Sequence, residues 1–177
     1  MNKNVNRLKN ALNERNSKNK LSRNEAFQKF ELTDDKKGFE GRTLFRIRAL
    51  RDLKTIEGSV SKGKLGGFVE NLGNLSQEGD SWIDENAVVM NNAEVEGDAF
   101  VGGNAIVSDN AFVNDKANLI DRAVAMDDVI VGGSAFIKDK AKIFGNAVVS
   151  DNAIIAGESE ISGRSKIFGN AVVSGES

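Results

Sequence analysis

Four residue types are absent from the 177-residue chain: cysteine, histidine, proline and tyrosine. Without cysteine the protein can form neither disulfides nor a thiolate metal site. Without histidine it lacks the commonest general base of enzymes and the commonest transition-metal ligand. No apolar run approaches the length of a membrane span, and the Asn- and Lys-rich N-terminus has no apolar signal core. These absences predict a cytoplasmic protein with no membrane segment, no metal and no cofactor.

The net charge of −2 hides opposite charges in two parts of the chain. Residues 1–56 contain 15 Lys or Arg against 7 Asp or Glu, a net charge of +8, whereas residues 57–177 contain 9 against 19, a net charge of −10. The basic N-terminal arm, residues 1–24, predicts a short helix or a tail that contacts nucleic acid, nucleoprotein or an acidic protein. Its candidate contact residues are Lys3, Arg7, Lys9, Arg15, Lys18, Lys20 and Arg23.

A six-residue repeat fills the second part of the chain. From Ser81 to Glu176 the sequence divides into sixteen hexads without one insertion, beginning SWIDEN, AVVMNN, AEVEGD. The first column is Ala in twelve hexads, the third is always aliphatic, and the fifth is Gly, Asp, Asn or Glu. Each hexad therefore has two inward positions on a short strand, followed by a turn at residues that tolerate positive φ. This pattern predicts an all-β protein built as a parallel β-helix.

These hexads resemble those of hexapeptide-repeat, left-handed β-helix proteins, in which three hexads form one triangular coil. The segment GGFVENLGNLSQEGDSWIDENAVV (66–89) is similar to the opening segment of YdcK-type members of that family. The resemblance implies the left hand and the three-sided section. Many such proteins are acyltransferases, but they use a His base and often a loop inserted into a coil, and this chain has neither. We therefore expect that it is not an enzyme.

An N-terminal cap should precede the coils, because the open end of a β-helix exposes core side chains and unpaired backbone. FQKFEL (27–32) and TLFRIRAL (43–50) alternate apolar and polar residues around the turn-rich DDKKGFEG, which predicts a β-hairpin cap over residues 25–56. The β-helix should then occupy 57–177. Within it, residues 57–80 form degenerate first hexads in which Leu65, Gly67, Gly73 and Gly79 keep part of the frame.

Outward side chains occupy columns two and four. On one face the candidate partner-binding residues are apolar, interrupted once by Asn118: Trp82, Phe100, Phe136, Ile154 and Val172. A second face has Val88, Ile106 and Val124. The third has Phe112, Ile130 and Val148, flanked by Glu94 and Glu96 at one end and by Lys166 and Phe168 at the other. Contiguous exposed apolar residues tend to mark interfaces. Trp82 could instead be a packing residue where cap meets coils.

Three functions remain open. The leading interpretation is a non-catalytic β-helix that docks on a macromolecular partner, such as a phage or mobile-element inhibitor of a host nuclease or defence complex. The second is a structural protein that self-assembles through its uncapped C-terminal coil. The third is a hexapeptide-repeat acyltransferase. The partner is expected to be a protein or nucleoprotein, and a homo-oligomer is an alternative.

Overall fold

The computed structural model describes residues 28–175, so the predicted basic arm lies outside the described residues. The described chain is all-β apart from one 3-10 turn at Leu72–Asn74. Its first five strands are β1 (Phe30–Phe39), β2 (Arg42–Ala49), β3 (Leu53–Thr55), β4 (Gly58–Val60) and β5 (Leu65–Val69). Strands β1 and β2 form an antiparallel hairpin, as do β3 and β4.

Sixteen short strands follow and form three parallel sheets, one on each side of the molecule. The extended face continues from β5 through β7 (Val88–Val89), β10 (Ile106–Val107), β13 (Val124–Ala125), β16 (Lys142–Ile143) and β19 (Glu160–Ile161). The open face contains β8 (Glu94–Val95), β11 (Phe112–Val113), β14 (Ile130–Val131), β17 (Val148–Val149) and β20 (Lys166–Ile167). The hairpin face contains β6 (Trp82–Ile83), β9 (Phe100–Val101), β12 (Asn118–Leu119), β15 (Phe136–Ile137), β18 (Ile154–Ala156) and β21 (Val172–Ser174).

Each short strand pairs in parallel with the strand 18 residues further along, as Trp82 does with Phe100. One coil therefore consists of three hexads, and the hairpin face counts six coils. The predicted parallel β-helix is confirmed.

Columns one and three fill the interior, as the repeat predicted. Every column-three side chain from Ile83 to Ile155 is fully buried, and the small column-one alanines pack beside them. Burial decreases in the last described coil, where Ile167 and Val173 are only partly buried. This apolar column supplies the hydrophobic stabilisation of the coils, since each buried aliphatic side chain contributes about 1.5–3 kcal/mol.

The turns explain why aspartate is frequent in column five. Asp127 has a φ of 63°, in the left-handed region that Asp and Asn tolerate better than most residues. Its Oδ2 accepts a hydrogen bond from the backbone N–H of Gly145, one coil later, at 2.8 Å. Asp115, Asp139 and Asp151 bind the next coil in the same way, each at 2.9 Å. These carboxylates therefore join adjacent coils at the corners.

The first hairpin extends one sheet rather than lying across the end of the coils. β2 pairs antiparallel with β5, and β5 pairs in parallel with β7. The hairpin turn is only Glu40–Gly41, with φ values of 48° and 76°, as in a two-residue type I′ turn. The sequence predicted the hairpin with its turn in DDKKGFEG (34–41); the hairpin is present, but the turn is only the last two residues of that segment, because β1 continues to Phe39.

The first coil is two residues longer than the others. Phe68 pairs with Val88 and Leu75 bridges Val95, both offsets of 20 residues, whereas Trp82 pairs with Phe100 at 18. The extra residues therefore lie between Leu75 and Trp82. There the Gln77 side chain accepts a hydrogen bond from the backbone N–H of Lys29 at 2.7 Å. The longer first coil thus binds the start of β1, and the hexad frame does not continue unchanged to Leu65.

Candidate binding surface

The small hairpin β3–β4 covers the upper part of the hairpin face. The Asn118 side-chain amide donates a hydrogen bond to Glu57 Oε1, in the turn of this hairpin, at 2.6 Å. At its base, the backbone N–H of Lys54 donates to Asp80 Oδ2 at 3.3 Å. Leu53 and Val60 are each 2% exposed and belong to the main apolar cluster of the molecule. The hairpin therefore packs its apolar side chains onto the coils.

This cover corrects two of the predicted contact residues. Trp82 is fully buried and Phe100 is 6% exposed, so the expectation that both face outward to solvent was wrong. Column two does point away from the coil interior, but segments before the hexads cover its upper residues: β5 lies against Trp82, and the β3–β4 hairpin binds Asn118 beside Phe100. A signal for the hairpin is present in LKTIEGSV (53–60), where apolar residues alternate around Gly58.

Trp82 is a packing residue at the junction of cap and coils. A Cβ atom on Gly66 would lie 2.6 Å from Trp82 Cζ2 and 2.5 Å from the Ile83 carbonyl oxygen. The indole ring therefore packs directly against glycine backbone in β5. The indole N–H donates to Asp84 Oδ1 at 3.4 Å. The Gly-Gly pair of the GGFV segment thus provides the space that this ring occupies.

The lower part of the hairpin face stays accessible. Phe136 and Ile154 are half-buried and Val172 is 67% exposed. We call these three residues the lower ladder; they lie one above the other in register, about 4.8 Å apart. Ile56, in the turn of β3–β4, is also exposed, at 42%. The lower ladder retains three of the five apolar residues that the sequence singled out on this face.

The remaining predicted contacts cannot be placed. Lys3, Arg7, Lys9, Arg15, Lys18, Lys20 and Arg23 all lie outside the described residues. Their role in binding a partner stays a prediction.

The buried amine of Lys29 has no signal in the sequence that could have identified it. This side chain is fully buried, and its Nζ donates hydrogen bonds to Ser81 Oγ at 2.8 Å and to the Glu78 carbonyl oxygen at 3.2 Å. Burial and, to a smaller extent, the positive charge of Arg51 lower the pKa of Lys29 to about 7. The amine links the N-terminal strand to the first coil. Nothing in the arrangement gives it a substrate to act on.

The described surface has grooves of about 290 to 400 Å³. One of about 290 Å³ is lined mainly by asparagines, including Asn71, Asn74 and Asn91. The Asn74 side chain donates to the carbonyl oxygens of Asn91 and Ala93, so it is already engaged in holding the turn. Within residues 28–175 no group of three or more Asp or Glu side chains is placed to hold a metal ion. The same part of the chain contains no helix long and apolar enough to cross a membrane.

Comparison with known proteins yields one family. No curated protein matches the chain, so the resemblance to YdcK-type proteins stays a prediction. The family model described as "Putative Ice-binding-like adhesive domain" matches residues 81–176, the same span as the sixteen hexads and more than half of the chain. The chain therefore belongs to the ice-binding-like adhesive domain family.

Proposed function

We propose that the chain is a non-catalytic adhesive module that docks on a protein partner through the lower ladder. The observation that carries this proposal is the position of Phe136, Ile154 and Val172. They form an accessible apolar row on coils that lie entirely inside the adhesive-family match. Membership of that family and the β-helix architecture support a binding or structural role.

The geometry of the lower ladder suits adhesion for a physical reason. Parallel pairing fixes each strand at 18-residue intervals, so the outward side chains keep their positions before a partner arrives. A surface organised in advance loses little conformational entropy on binding. Aromatic side chains such as Phe136 commonly contribute most of the binding energy at such contacts. Lys138, whose Nζ lies 5.8 Å from the Phe136 ring, adds a positive charge at the edge.

Site-specific photo-crosslinking tests the proposal. A photoreactive phenylalanine analogue is placed at Ile154 or Val172, and at Leu72 as a control, because Leu72 is an exposed apolar residue on another surface. We expect one protein to be crosslinked in cells from the first two positions and not from Leu72. A Val172→Asp substitution should remove the crosslink made from position 154. Equal crosslinking from all three positions, or none from the ladder, would contradict the proposal.

A narrower candidate is an inhibitor, of phage or mobile-element origin, of a cytoplasmic nucleic-acid-processing complex. The acidity of the coils favours it, since residues 57–177 carry 19 Asp or Glu against 9 Lys or Arg. An acidic surface can compete with nucleic acid for a basic channel. Its test is a nuclease assay with the purified chain, repeated across salt concentrations. Inhibition should weaken as salt rises, because salt screens the charges.

The absence of catalysis is part of the proposal. Isothermal titration with acetyl-CoA tests the acyltransferase alternative directly. Saturable binding of acetyl-CoA would favour that alternative over an adhesive role.

A further inference from the structure

We infer that the open face is a self-complementary surface on which a second copy of this chain docks in the opposite orientation. It is the one face that no described hairpin covers or extends. The column-two side chains of its five strands are all exposed or half-exposed: Glu94, Phe112, Ile130, Val148 and Lys166. Ile130 at the centre is 43% exposed.

The order of these five residues fits a two-fold axis that runs along β14. Such an axis makes the coils of the second copy stack in the opposite direction to those of the first. It also places the column-two side chains of one copy against the column-two side chains of the other. Ile130 then meets Ile130 of the second copy, and Phe112 meets Val148. Glu94 meets Lys166 at both ends, so the apolar centre is flanked by two opposite-charge contacts. Two-fold symmetry is the symmetry that most dimers use, and in it every contact away from the axis occurs twice.

Charge repulsion disfavours the other possible two-fold arrangement, in which the axis runs parallel to the stacking direction of the coils. If the axis ran along the coils, Glu94 and Glu96 would face the same two residues of the second copy, and Lys166 would face Lys166. Like charges in contact disfavour that docking mode. Neither Glu94 nor Lys166 makes an ion pair among the described residues, whereas Lys142 and Glu160 at the foot of the extended face pair with each other. The open face therefore carries opposite charges at its two ends that no residue of the described range 28–175 pairs with.

The size of the face sets the strength of the dimer. Five strands about 4.8 Å apart, with their flanking turns, cover roughly 20 Å by 20 Å, or about 400 Å² per copy. The total of about 800 Å² is below the area of most stable complexes, so the dimer should form only at about 10–100 μM protein.

Sedimentation velocity on the full chain, from about 1 to 300 μM, tests the inference. Wild type should change from monomer to dimer across this range. Ile130→Asp should remain monomeric, whereas Val172→Asp, on the hairpin face, should dimerise as wild type does. Glu94→Lys or Lys166→Glu alone should weaken the dimer about tenfold, since each creates two like-charge contacts, and the double variant E94K/K166E should restore it.

Circular dichroism at each concentration verifies that every variant is folded; all four substituted positions are exposed on column two, outside the core. Failure of the double variant to recover dimerisation would overturn the antiparallel arrangement. A wild-type monomer at 300 μM, or a dimer lost in Val172→Asp and kept in Ile130→Asp, would overturn the inference altogether. The photo-crosslinking test concerns the lower ladder, so the behaviour of Ile130→Asp, Glu94→Lys and Lys166→Glu leaves its outcome unaffected.

Discussion

The stability of this protein should depend on pH mainly through the buried amine of Lys29. Its pKa is lowered from 10.5 to about 7 in the folded chain because burial disfavours the charged form. Between these two values the unfolded chain holds a proton that the folded chain lacks, so stability rises with pH. Below about pH 7 the amine is protonated in both the folded and the unfolded chain, so the free energy of unfolding is lowered by the full cost of burying its charge. From pH 7 to pH 9 the free energy of unfolding should increase by about 2 kcal/mol, at 1.36 kcal/mol per pKa unit.

The composition of the chain makes this effect measurable. With no His, Cys or Tyr, few other groups change charge between pH 6.5 and 9. The pKa of Lys37 is also lowered, first by burial and then by the charge of Arg46, and the terminal amine titrates nearby. Both groups remain in a Lys29→Met variant, which removes only the buried amine at similar volume. The difference between the two proteins therefore isolates Lys29.

Urea unfolding followed by the fluorescence of Trp82, the sole tryptophan, provides the assay. Wild type should gain about 2 kcal/mol relative to Lys29→Met between pH 7 and pH 9. Lys54→Met, which removes an exposed lysine, should keep the wild-type pH profile. Parallel profiles for wild type and Lys29→Met would refute the reasoning, because they would show that the amine keeps its ordinary pKa when folded.

Three substitutions test the packing and the turns. Gly66→Ala should destabilise the protein by more than about 2 kcal/mol in urea unfolding, because its Cβ would lie 2.5–2.7 Å from three neighbouring atoms, whereas Gly38→Ala, with space around it, should be nearly neutral. Asp127→Ala should lower the thermal midpoint more than Asp127→Gly, and Asp127→Asn should lower it least, because Asn keeps both the tolerance of positive φ and the acceptor for Gly145. Glu57→Ala should lower the free energy of unfolding by about 1–2 kcal/mol, because the buried Asn118 amide loses its hydrogen-bond partner. The same loss should loosen the β3–β4 hairpin and make Phe100 accessible to a hydrophobic dye.

The interior of the coils could be predicted from the sequence because the residues that determine it lie within each hexad. Each hexad contains its own inward alanine, its own aliphatic residue and its own turn residue, so one hexad suffices to assign the next. The full burial of column three from Ile83 to Ile155 confirms this reasoning. Asp in column five was correctly assigned to turns. Its hydrogen bond to the following coil requires the 18-residue register, which periodicity of six alone does not give.

Exposure of the outer columns could not be predicted in the same way, because it depends on segments distant in the sequence. Trp82 and Phe100 occupy the same column as Val172, yet only Val172 is exposed. The difference comes from segments outside the hexads, which have no periodic relation to them: Gly66 in β5 lies against the Trp82 ring, and Glu57 in the turn of β3–β4 binds Asn118, the strand partner of Phe100. Lys29 is buried for a related reason: the two extra residues of the first coil carry Gln77 and Glu78 toward the start of β1.

The two hairpins also explain which surfaces are left for partners. Columns one and three form the core, and column five joins the coils. Substitutions that leave the stability of the fold unchanged are therefore expected mainly in columns two and four. β1 and β2 extend one sheet. On the outer side of that sheet, Leu44 of β2 packs with Phe68 and Val88 in a small buried apolar cluster. β3 and β4 cover half of another. Within residues 28–175, the open face is the one face on which neither hairpin packs, and it keeps an apolar centre with separated charges. Because the hairpins shield the upper apolar residues of the other two faces, an intermolecular contact is the physically consistent cover for the third.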